Sequence, residues 1–163
     1  MISIENYGEV RGFRLARTIL GRGLYYTAAY WVDGLMVDTG CRYTVKELVS
    51  ALDALHVERI VNTHSHEDHI GANVVVSTKF GAKIFAHPLA IPVLATPKNK
   101  KHLNPYQIVM WGYPAPSPAL PVPSIIETPR HAFHVIHTPG HSPDHICLYE
   151  PREGWLYGGD TYI

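Results

Sequence analysis

The chain has 163 residues, of which 46% are hydrophobic. A chain of this length buries roughly two thirds of the surface that its unfolded form exposes, which suffices for one domain with one core. Lysine and arginine together number 14, as do aspartate and glutamate. This balance leaves no net basic field that would attract nucleic acid or an anionic membrane without regard to sequence.

The N-terminal stretch MISIENYGEV has neither a basic start nor a continuous apolar core, so it does not resemble a signal peptide. No stretch of the chain approaches the roughly 18 apolar residues that a membrane span needs. These features predict a soluble, cytoplasmic protein with no membrane partner.

The first half of the chain predicts strands that give way to alternating helices and strands. Alternating apolar and polar residues predict a meander of consecutive strands at RLARTIL, YYTAAYWV and LMVDTG. Helical spacing then predicts a helix from Thr44 to Leu55, and Thr44 with Glu47 has the form of a capping box. ERIVNT (58–63) predicts a buried strand, IGANVVVSTKFG (70–81) a helix that Gly81 closes, and AKIFAHP a further strand.

Residues 92–129 differ in composition, because nine of the 13 prolines lie there. Proline removes a backbone donor and fixes φ, so this segment is predicted to be a loop insertion of polyproline character, without sheet or helix. Its aromatic residues Tyr106, Trp111 and Tyr113 either form one wall of a substrate cleft or lie on a simple surface excursion. Strands are predicted after it at AFHVIHT, HICLYEP and GWLYGGD. The order of elements indicates an α/β fold, with a mixed sheet and helices on one face.

The stretch VNTHSHEDHIGAN (61–73) concentrates three histidines and an aspartate in six positions. In an extended segment His64 and His66 project to the same side and can share a metal ion. As the chain turns towards the next helix, Asp68 and His69 are carried to a second position, where oxygen and imidazole suit zinc, iron or manganese. The pattern H-x-H-x-D-H arises by chance with a probability on the order of 10⁻³. The alternative is a polar loop of solvated histidines.

A second cluster, HTPGHSPDHICLY, contains His137, His141 and His145 at intervals of four. Pro139 and Gly140 prevent a helix there, so the three histidines need not share a face. His141 follows a turn and is favoured as a metal ligand, whereas His137 is still on a strand and is expected to support a ligand. In GWLYGGDTY, two glycines precede Asp160, which is either a ligand or a turn aspartate.

Four motifs in order, VDTG (37–40), THSHEDH (63–69), TPGHS (138–142) and GGD (158–160), resemble the metallo-β-lactamase superfamily. The resemblance implies an αββα sandwich, of which this chain would hold the N-terminal part. It further implies two divalent ions, with zinc expected first and iron or manganese open. The implied ligands are His64, His66 and His141 for one ion and Asp68 and His69 for the other, with Asp160 bridging both.

The same resemblance suggests residues that support the ligands. Asp38 matches a family aspartate beside the site, where a carboxylate can fix a liganding imidazole through its other nitrogen. His145 gains interest because the run from His137 to Asp160 looks most like glyoxalase II-like hydrolases and β-lactamase-like endoribonucleases. A flavodiiron oxidoreductase is disfavoured because His66 stands where that branch has glutamate. A true β-lactamase is disfavoured because neither cysteine stands in a ligand motif.

The implied reaction is hydrolysis by a metal-activated water that Asp68 orients. The expected substrate is a small molecule or RNA with a thioester, ester, amide or phosphodiester bond, and thioesters and phosphodiesters rank ahead of β-lactams. The alternative is a metal-binding or structural subunit without hydrolytic activity, which needs a partner chain.

The resemblance also predicts that the domain formed by residues 1–163 is incomplete. The family's last ligand is a histidine well downstream of the bridging aspartate, and this sequence has only three residues after Asp160. The second metal site is therefore expected to be the weaker one, and the activity of the isolated chain is uncertain. The inner face of the sheet is expected to lack its partner layer, which favours a homodimer or a complex with a complementary C-terminal fragment.

Overall fold

The computed structural model describes residues 1–100 and 102–162, which form two sheets and several short helices. The first sheet contains β1 (Ile2–Tyr7), β2 (Val10–Ile19), β3 (Arg22–Val32), β4 (Leu35–Val37), β5 (Arg59–Val61), β6 (Lys83–Ala86) and β7 (Leu120–Pro121). The second sheet contains β8 (Ile125–Glu127), β9 (Ala132–His137), β10 (Ile146–Glu150) and β11 (Trp155–Tyr157). The helices are α1 (Val45–Ala51), α2 (Asn73–Phe80), α3 (Ile91–Ala95), α4 (Pro97–Lys100) and α5 (Pro105–Met110).

The strands of the first sheet lie in chain order. Strands β1 to β4 are antiparallel neighbours, which confirms the predicted meander. From β4 to β7 the pairing becomes parallel, because α1 and α2 each return the chain to the same end of the sheet, as parallel pairing requires. The second sheet is antiparallel in the order β11-β10-β9-β8.

The first sheet is buried on both faces, as its central strands show. In β4, Met36 packs in the cluster formed with the helices, while its neighbours Leu35 and Val37 pack in the cluster formed with the second sheet. In β5, Ile60 packs in the cluster with the helices and Val61 in the cluster with the second sheet. Since successive side chains of a strand point to opposite faces, the sheet is a layer between helices and a second sheet.

The expectation that the inner face of the first sheet lacks a partner layer was wrong, because the second sheet packs against that face. Its residues Phe133, Ile146 and Leu148 are buried against that face. The three strands predicted after the proline-rich segment were expected to belong to a single mixed sheet, but together with β8 they form this separate layer. Because the second sheet covers the inner face, that face does not supply the uncovered apolar layer on which the predicted association rested. The exposed apolar residues of the second sheet include Ile136, 44% exposed, and Leu156, 54% exposed.

Helix α1 is shorter than predicted, and its capping box does not form. The helix ends at Ala51, and Thr44 makes no side-chain cap bond. The Thr44 hydroxyl instead donates to the Cys41 carbonyl over 3.0 Å, and the Glu47 carboxylate accepts from the N-terminal ammonium over 3.2 Å. The Thr44 hydroxyl is thus used in a local turn, and the Glu47 carboxylate in a contact with the distant N-terminus. Helix α2 ends as predicted, with Gly81 in the left-handed conformation at φ 70°.

The proline-rich segment contains elements that were not predicted. Helices α3, α4 and α5 and strands β7 and β8 lie wholly or almost wholly within 92–129. Pro92, Pro97 and Pro105 each stand in the first turn of a helix, where the missing N–H has no intrahelical partner to lose. The prediction of a segment without helix or sheet was therefore wrong. None of the helices within residues 1–100 and 102–162 is long and apolar enough to cross a membrane.

Asp33 links the two sheets and allows a test of this packing. It lies in the turn between β3 and β4, and its carboxylate accepts hydrogen bonds from the backbone N–H of Arg130 over 2.8 Å and from its Nε over 3.2 Å. Burial alone would raise the pKa of the Asp33 carboxyl. Hydrogen bonds from Thr128 and Arg130, and the Arg130 charge, outweigh burial and lower the pKa.

Asp33→Asn should destabilise the fold by about 1–3 kcal/mol at neutral pH, because the hydrogen bonds to Arg130 lose their charge. Asparagine tolerates the positive φ of 49° at this position. Because the folded pKa lies below the unfolded value of about 3.9, the carboxylate stabilises fully above that value and loses its effect as pH falls through the folded pKa. Urea unfolding between pH 3 and pH 7 should show the two proteins converge in acid.

Asp53→Asn is the matched control, since Asp53 pairs with Lys79 and its side chain is 61% exposed. Exposed pairs contribute little, so this change should alter the unfolding free energy by less than about 0.5 kcal/mol. Equal effects of the two substitutions, or a loss at Asp33 that does not depend on pH, would contradict the proposed linkage.

Candidate metal centre

The predicted ligands gather at the carboxyl ends of β4 and β5. Asp38 follows β4 directly and its N–H donates to the Val61 carbonyl at the end of β5 over 3.0 Å. The chain after β5 forms an irregular loop, residues 62–72, before α2 begins. The N–H of Thr39 donates to the His69 carbonyl over 2.8 Å and joins this loop to the segment after β4. The site therefore lies where parallel strands end, as in other α/β folds.

Four side chains converge on one point: His64, His66, His141 and Asp160. Each offers a ligand atom, and these atoms all lie within 4.8 Å of one another. His141 Nε2 is 2.9 Å from His66 Nδ1 and 3.4 Å from an Asp160 carboxylate oxygen. Three imidazoles and one carboxylate form a donor set that suits zinc and other divalent transition metals.

The chemistry of His64 fits a metal at this point. Its ring is fully buried, and Nε2 has no hydrogen-bond partner among the described residues. Burial lowers the pKa of His64, as do the neighbouring histidines, so the ring stays neutral. A neutral imidazole with an unused, buried nitrogen is the form that a metal binds, and an unpartnered buried nitrogen otherwise costs stability.

Asp68 and His69 lie beside this cluster with Asp160. His69 Nε2 is 3.2 Å from Asp160 Oδ1 and 3.8 Å from Asp68 Oδ2. Burial alone would lower the pKa of His69, but the carboxylates of Asp38, Asp160 and Asp68 outweigh it and raise the pKa well above its ordinary value. Burial raises the pKa of Asp68. The surroundings of His69 thus favour positive charge, which a metal cation can supply.

Asp38 fixes the orientation of the His69 ring. Its carboxylate accepts from the Thr63 N–H over 2.8 Å, from the Thr63 hydroxyl over 2.7 Å and from His69 Nδ1 over 2.8 Å. A carboxylate can only accept, so the proton lies on Nδ1 and leaves Nε2 to face Asp160. This is the position that the resemblance implied for Asp38.

His145 holds the backbone of Asp160. Its Nε2 accepts the Asp160 N–H over 3.1 Å, and its Nδ1 lies 2.8 Å from the Thr138 hydroxyl. Burial lowers the pKa of His145, so the ring remains a neutral acceptor. Because Nε2 accepts, Nδ1 carries the proton and donates to Thr138. His145 therefore contacts the turn that carries the carboxylate of the cluster.

His137 lies apart from the cluster, unlike the other predicted residues. Its ring is exposed and stacks on His87, with ring centroids 4.2 Å apart and an interplanar angle of 13°. His137 Nε2 donates to the Pro143 carbonyl over 2.9 Å. The expectation that His137 supports a ligand is not met, because the ring turns towards His87 at the end of β9.

Several buried polar residues hold these loops in place, although the sequence patterns did not identify them as part of the site. Asp144 accepts the Ser65 N–H over 2.9 Å and so joins the loop of His64 and His66 to the loop of His141. Asn62 donates to the His69 carbonyl over 3.4 Å, and Asn73 donates to Asn62 over 2.7 Å. A single aspartate between two histidines, as in HSPDH, was the available signal for Asp144.

The cluster opens into a cleft of about 800 Å³. His141 and Asp160 retain 29% and 19% of their side-chain exposure there. Tyr106 and Trp111 line the cleft, so the proline-rich segment contributes to its lining. Tyr113 does not line it, and its hydroxyl instead accepts the Leu103 N–H over 3.2 Å.

The family model of the metallo-beta-lactamase superfamily matches residues 22–162, and the chain belongs to this superfamily. Members of the superfamily are hydrolases that bind divalent metals. A probable metallo-hydrolase of Bacillus subtilis (strain 168) is 30% identical over 139 residues. A hydroxyacylglutathione hydrolase of Maricaulis maris (strain MCS10) is 30% identical over 105 residues.

The chain spans only part of these relatives. The alignments cover 80% of this chain and 58% of the Bacillus protein, and 64% of this chain and 34% of the Maricaulis protein. Among solved structures, the BLEG-1 B3 metallo-beta-lactamase matches with a TM-score of 0.67 at 24% identity, covering 100% of this chain and 73% of its own. A metallo-beta-lactamase from Pontibacter korlensis matches with a TM-score of 0.70 at 18% identity, with coverage of 97% and 71%. These likenesses establish the shared α/β fold.

Proposed function

We propose that the chain provides the metal centre of a hydrolase that cleaves an ester or thioester with a metal-activated water. The observation that carries this proposal is the convergence of His64, His66, His141 and Asp160 on one point, with the unpartnered His64 Nε2 among them. The similarity to a hydroxyacylglutathione hydrolase, whose name describes a thioesterase, supports acyl transfer to water.

We further propose that two ions bind. His64, His66 and His141 would hold one, Asp68 and His69 the other, and Asp160 would contact both. Its carboxylate supports this role because one oxygen lies 3.2 Å from His69 Nε2 and the other 3.4 Å from His141 Nε2. We expect zinc first, with iron or manganese as alternatives. Such ions supply hydroxide near neutral pH and polarise the bond that is attacked.

The chain's own residues set up this chemistry. Asp38 holds His69 with Nε2 towards Asp160, and His145 holds the Asp160 backbone. Asp68 is the group that we expect to orient the attacking water, because its carboxylate lies beside the cluster, with Oδ2 3.8 Å from His69 Nε2.

Removal of the metal with a chelator should abolish hydrolysis of 4-nitrophenyl acetate, and dialysis against zinc, iron or manganese should restore it. The reason is that neither serine nor cysteine is placed as a nucleophile among the described residues that line the cleft. Metal content by mass spectrometry and release of 4-nitrophenolate should fall and return together.

Hydrolysis at full rate by protein shown to be free of metal would contradict the proposal. Bound metal without turnover of 4-nitrophenyl acetate, an acyl-glutathione, a bis-aryl phosphodiester, single-stranded RNA or a chromogenic cephalosporin would instead favour the non-catalytic alternative. Dominant turnover of the cephalosporin would reverse the ranking of substrates.

A further inference from the structure

Two side-chain amides close the loop that carries most of the proposed ligands. Asn62 is the first residue of the loop 62–72, and Asn73 follows the loop as the first residue of α2. Asn73 Nδ2 donates to Asn62 Oδ1 over 2.7 Å, and Asn62 Nδ2 donates back to Asn73 Oδ1 over 3.2 Å. We term Asn62 and Asn73 the amide pair. Its two hydrogen bonds hold the ends of the loop together.

The surroundings of the amide pair are fully buried. Thr39, Ser117 and both members of the pair have no exposed surface. Ser117, from the proline-rich segment, has its Oγ 3.5 Å from Asn73 Nδ2. A buried amide that loses a partner keeps the cost of its lost hydration, and the members of a buried network depend on one another. Removal of one amide should therefore disturb the contacts of the other.

The amide pair reaches the His69 carbonyl by two routes. In the first, Asn62 Nδ2 donates to this carbonyl over 3.4 Å. In the second, the Thr39 hydroxyl donates to Asn73 Oδ1 over 2.8 Å, and the Thr39 N–H donates to the His69 carbonyl over 2.8 Å. The backbone of His69 is therefore held through each of the two amides.

The same contacts act on both partners of the hydrogen bond that orients the His69 ring. Asp38, which accepts from His69 Nδ1, directly precedes Thr39 and has a positive φ of 59°. A residue other than glycine keeps such a conformation when its surroundings impose it. Thr39 contributes to these surroundings, because both its N–H and its hydroxyl are hydrogen-bonded. The amide pair thus supports Asp38 through Thr39 and His69 through its carbonyl.

The two proposed metal sites depend on the loop 62–72 to different degrees. Asp68 and His69, which would hold only the second ion, both lie in this loop. The first ion would also have His141, which stands on a separate loop after β9 and contacts Asp160 and His66. A change in the closure of the loop 62–72 should therefore affect the second site more than the first.

We infer that Asn73 is a positioning residue for His69, and that through the amide pair it supports binding of the second metal ion more than binding of the first. The preference for the second ion rests on the two-ion part of the proposed function. Asn73 is fully buried, and its effect runs through Asn62, Thr39 and the backbone of His69.

Asn73→Ala should lower the affinity for the second of two Co²⁺ ions about 10- to 100-fold, the range seen when a supporting contact of a ligand is lost. The affinity for the first ion should fall less. Co²⁺ takes the place of zinc here, and its absorbance during titration into metal-free protein follows the two ions in turn. Val76→Ala is the matched control, because Val76 is fully buried on the same helix but packs in the apolar cluster. It should destabilise the protein without a preference for either ion.

Amide hydrogen exchange of the metal-free protein tests the positioning of His69 without any ion. The Thr39 N–H, which is bonded to the His69 carbonyl, should exchange faster in Asn73→Ala than in Val76→Ala. Each rate is first corrected for the unfolding free energy of the variant, measured in urea, so that only local opening is compared. Thr39→Val is a milder variant, which removes the hydroxyl that bonds to Asn73. It should weaken the second ion in the same direction by a smaller factor, and it provides the test if Asn73→Ala does not fold.

Equal losses of affinity for the two ions in Asn73→Ala would overturn the inference. So would equal corrected exchange of the Thr39 N–H in Asn73→Ala and Val76→Ala. Failure of the proposed function has a different signature, since the unaltered chain would then bind a single ion or hydrolyse no ester. A single ion would also refute the preference for the second ion, whereas faster exchange in Asn73→Ala would still support the positioning of His69 by Asn73.

Discussion

Replacement of both His64 and His66 with alanine should abolish metal binding, whereas the unaltered chain should carry zinc, iron or manganese after purification without chelator. Two of the four convergent side chains would be lost, and Asp160 and the partly exposed His141 would remain. Loss of a group that only supports a ligand already costs about 10- to 100-fold in metal affinity, so loss of two direct ligands should cost at least about 1,000-fold. Elemental analysis and competition with a chromogenic chelator measure both quantities.

The matched control is a double change of His134 and His137 to alanine. Both histidines are exposed on β9, and His137 contacts His87 and Pro143. This variant should keep its metal and lose little stability, since exposed substitutions usually cost less than about 0.5 kcal/mol. Equal metal content in the two double variants would show that the four converging residues do not form the site. So would an unaltered chain that takes up none of the three metals on reconstitution.

Much of the fold could be predicted because its strands follow local patterns. Alternation marked β2 and β3, and Gly81 marked the end of α2. Local patterns do not show which distant strands pair, so the second sheet was not separated from the first. A proline also predicts an interruption of regular structure, although Pro92 and Pro105 stand in the first turns of helices. Thr44 and Glu47 do not cap α1, because Thr44 bonds to the Cys41 carbonyl in the preceding turn and Glu47 contacts the N-terminal ammonium.

The site was predictable where ligands share a short motif. His64, His66, Asp68 and His69 lie in one loop, and their spacing alone indicated a metal centre. Strand alternation predicts that the His64 and His66 side chains project together, but β5 ends at Val61, and both rings meet in an irregular loop. His141 lies outside this motif, 75 residues further along the chain than His66, yet the two side chains are in contact.

The residues that position the ligands were harder to predict. A buried aspartate produces no periodic pattern, so Asp144 could not be recognised before the loops were seen together. Thr138 belongs to the TPGHS motif, but the motif does not show that its hydroxyl pairs with His145. Asp38 was predicted only through its family motif. The contacts of these residues follow from the three-dimensional arrangement of four separate segments.

The turn of Gly158 and Gly159 places Asp160, and it leaves little space. Gly159 has a positive φ of 50°, and a Cβ atom there would lie 2.6 Å from His145 Nε2 and 2.9 Å from Thr63 Cβ. His145 Nε2 is the atom that accepts the Asp160 N–H, and Thr63 donates to Asp38. A side chain at Gly159 would therefore press on the residues that hold Asp160 and His69. Glycine is required here for its conformation and for its lack of a Cβ.

Gly159→Ala should lower metal affinity about 10- to 100-fold, the range seen when a supporting contact of a ligand is lost. Gly154→Ala is the matched control, because Gly154 also has a positive φ, 71°, but nothing lies within 4 Å of its Cβ position. Both alanines carry the cost of the left-handed conformation, about 1–2 kcal/mol, and both should lower the unfolding free energy. Only Gly159→Ala should also disturb Asp160, so the difference in metal affinity between the two variants measures the crowding against His145 and Thr63. If both variants bind metal as tightly as the unaltered chain, the turn yields without moving Asp160, and His145 does not control the position of that carboxylate.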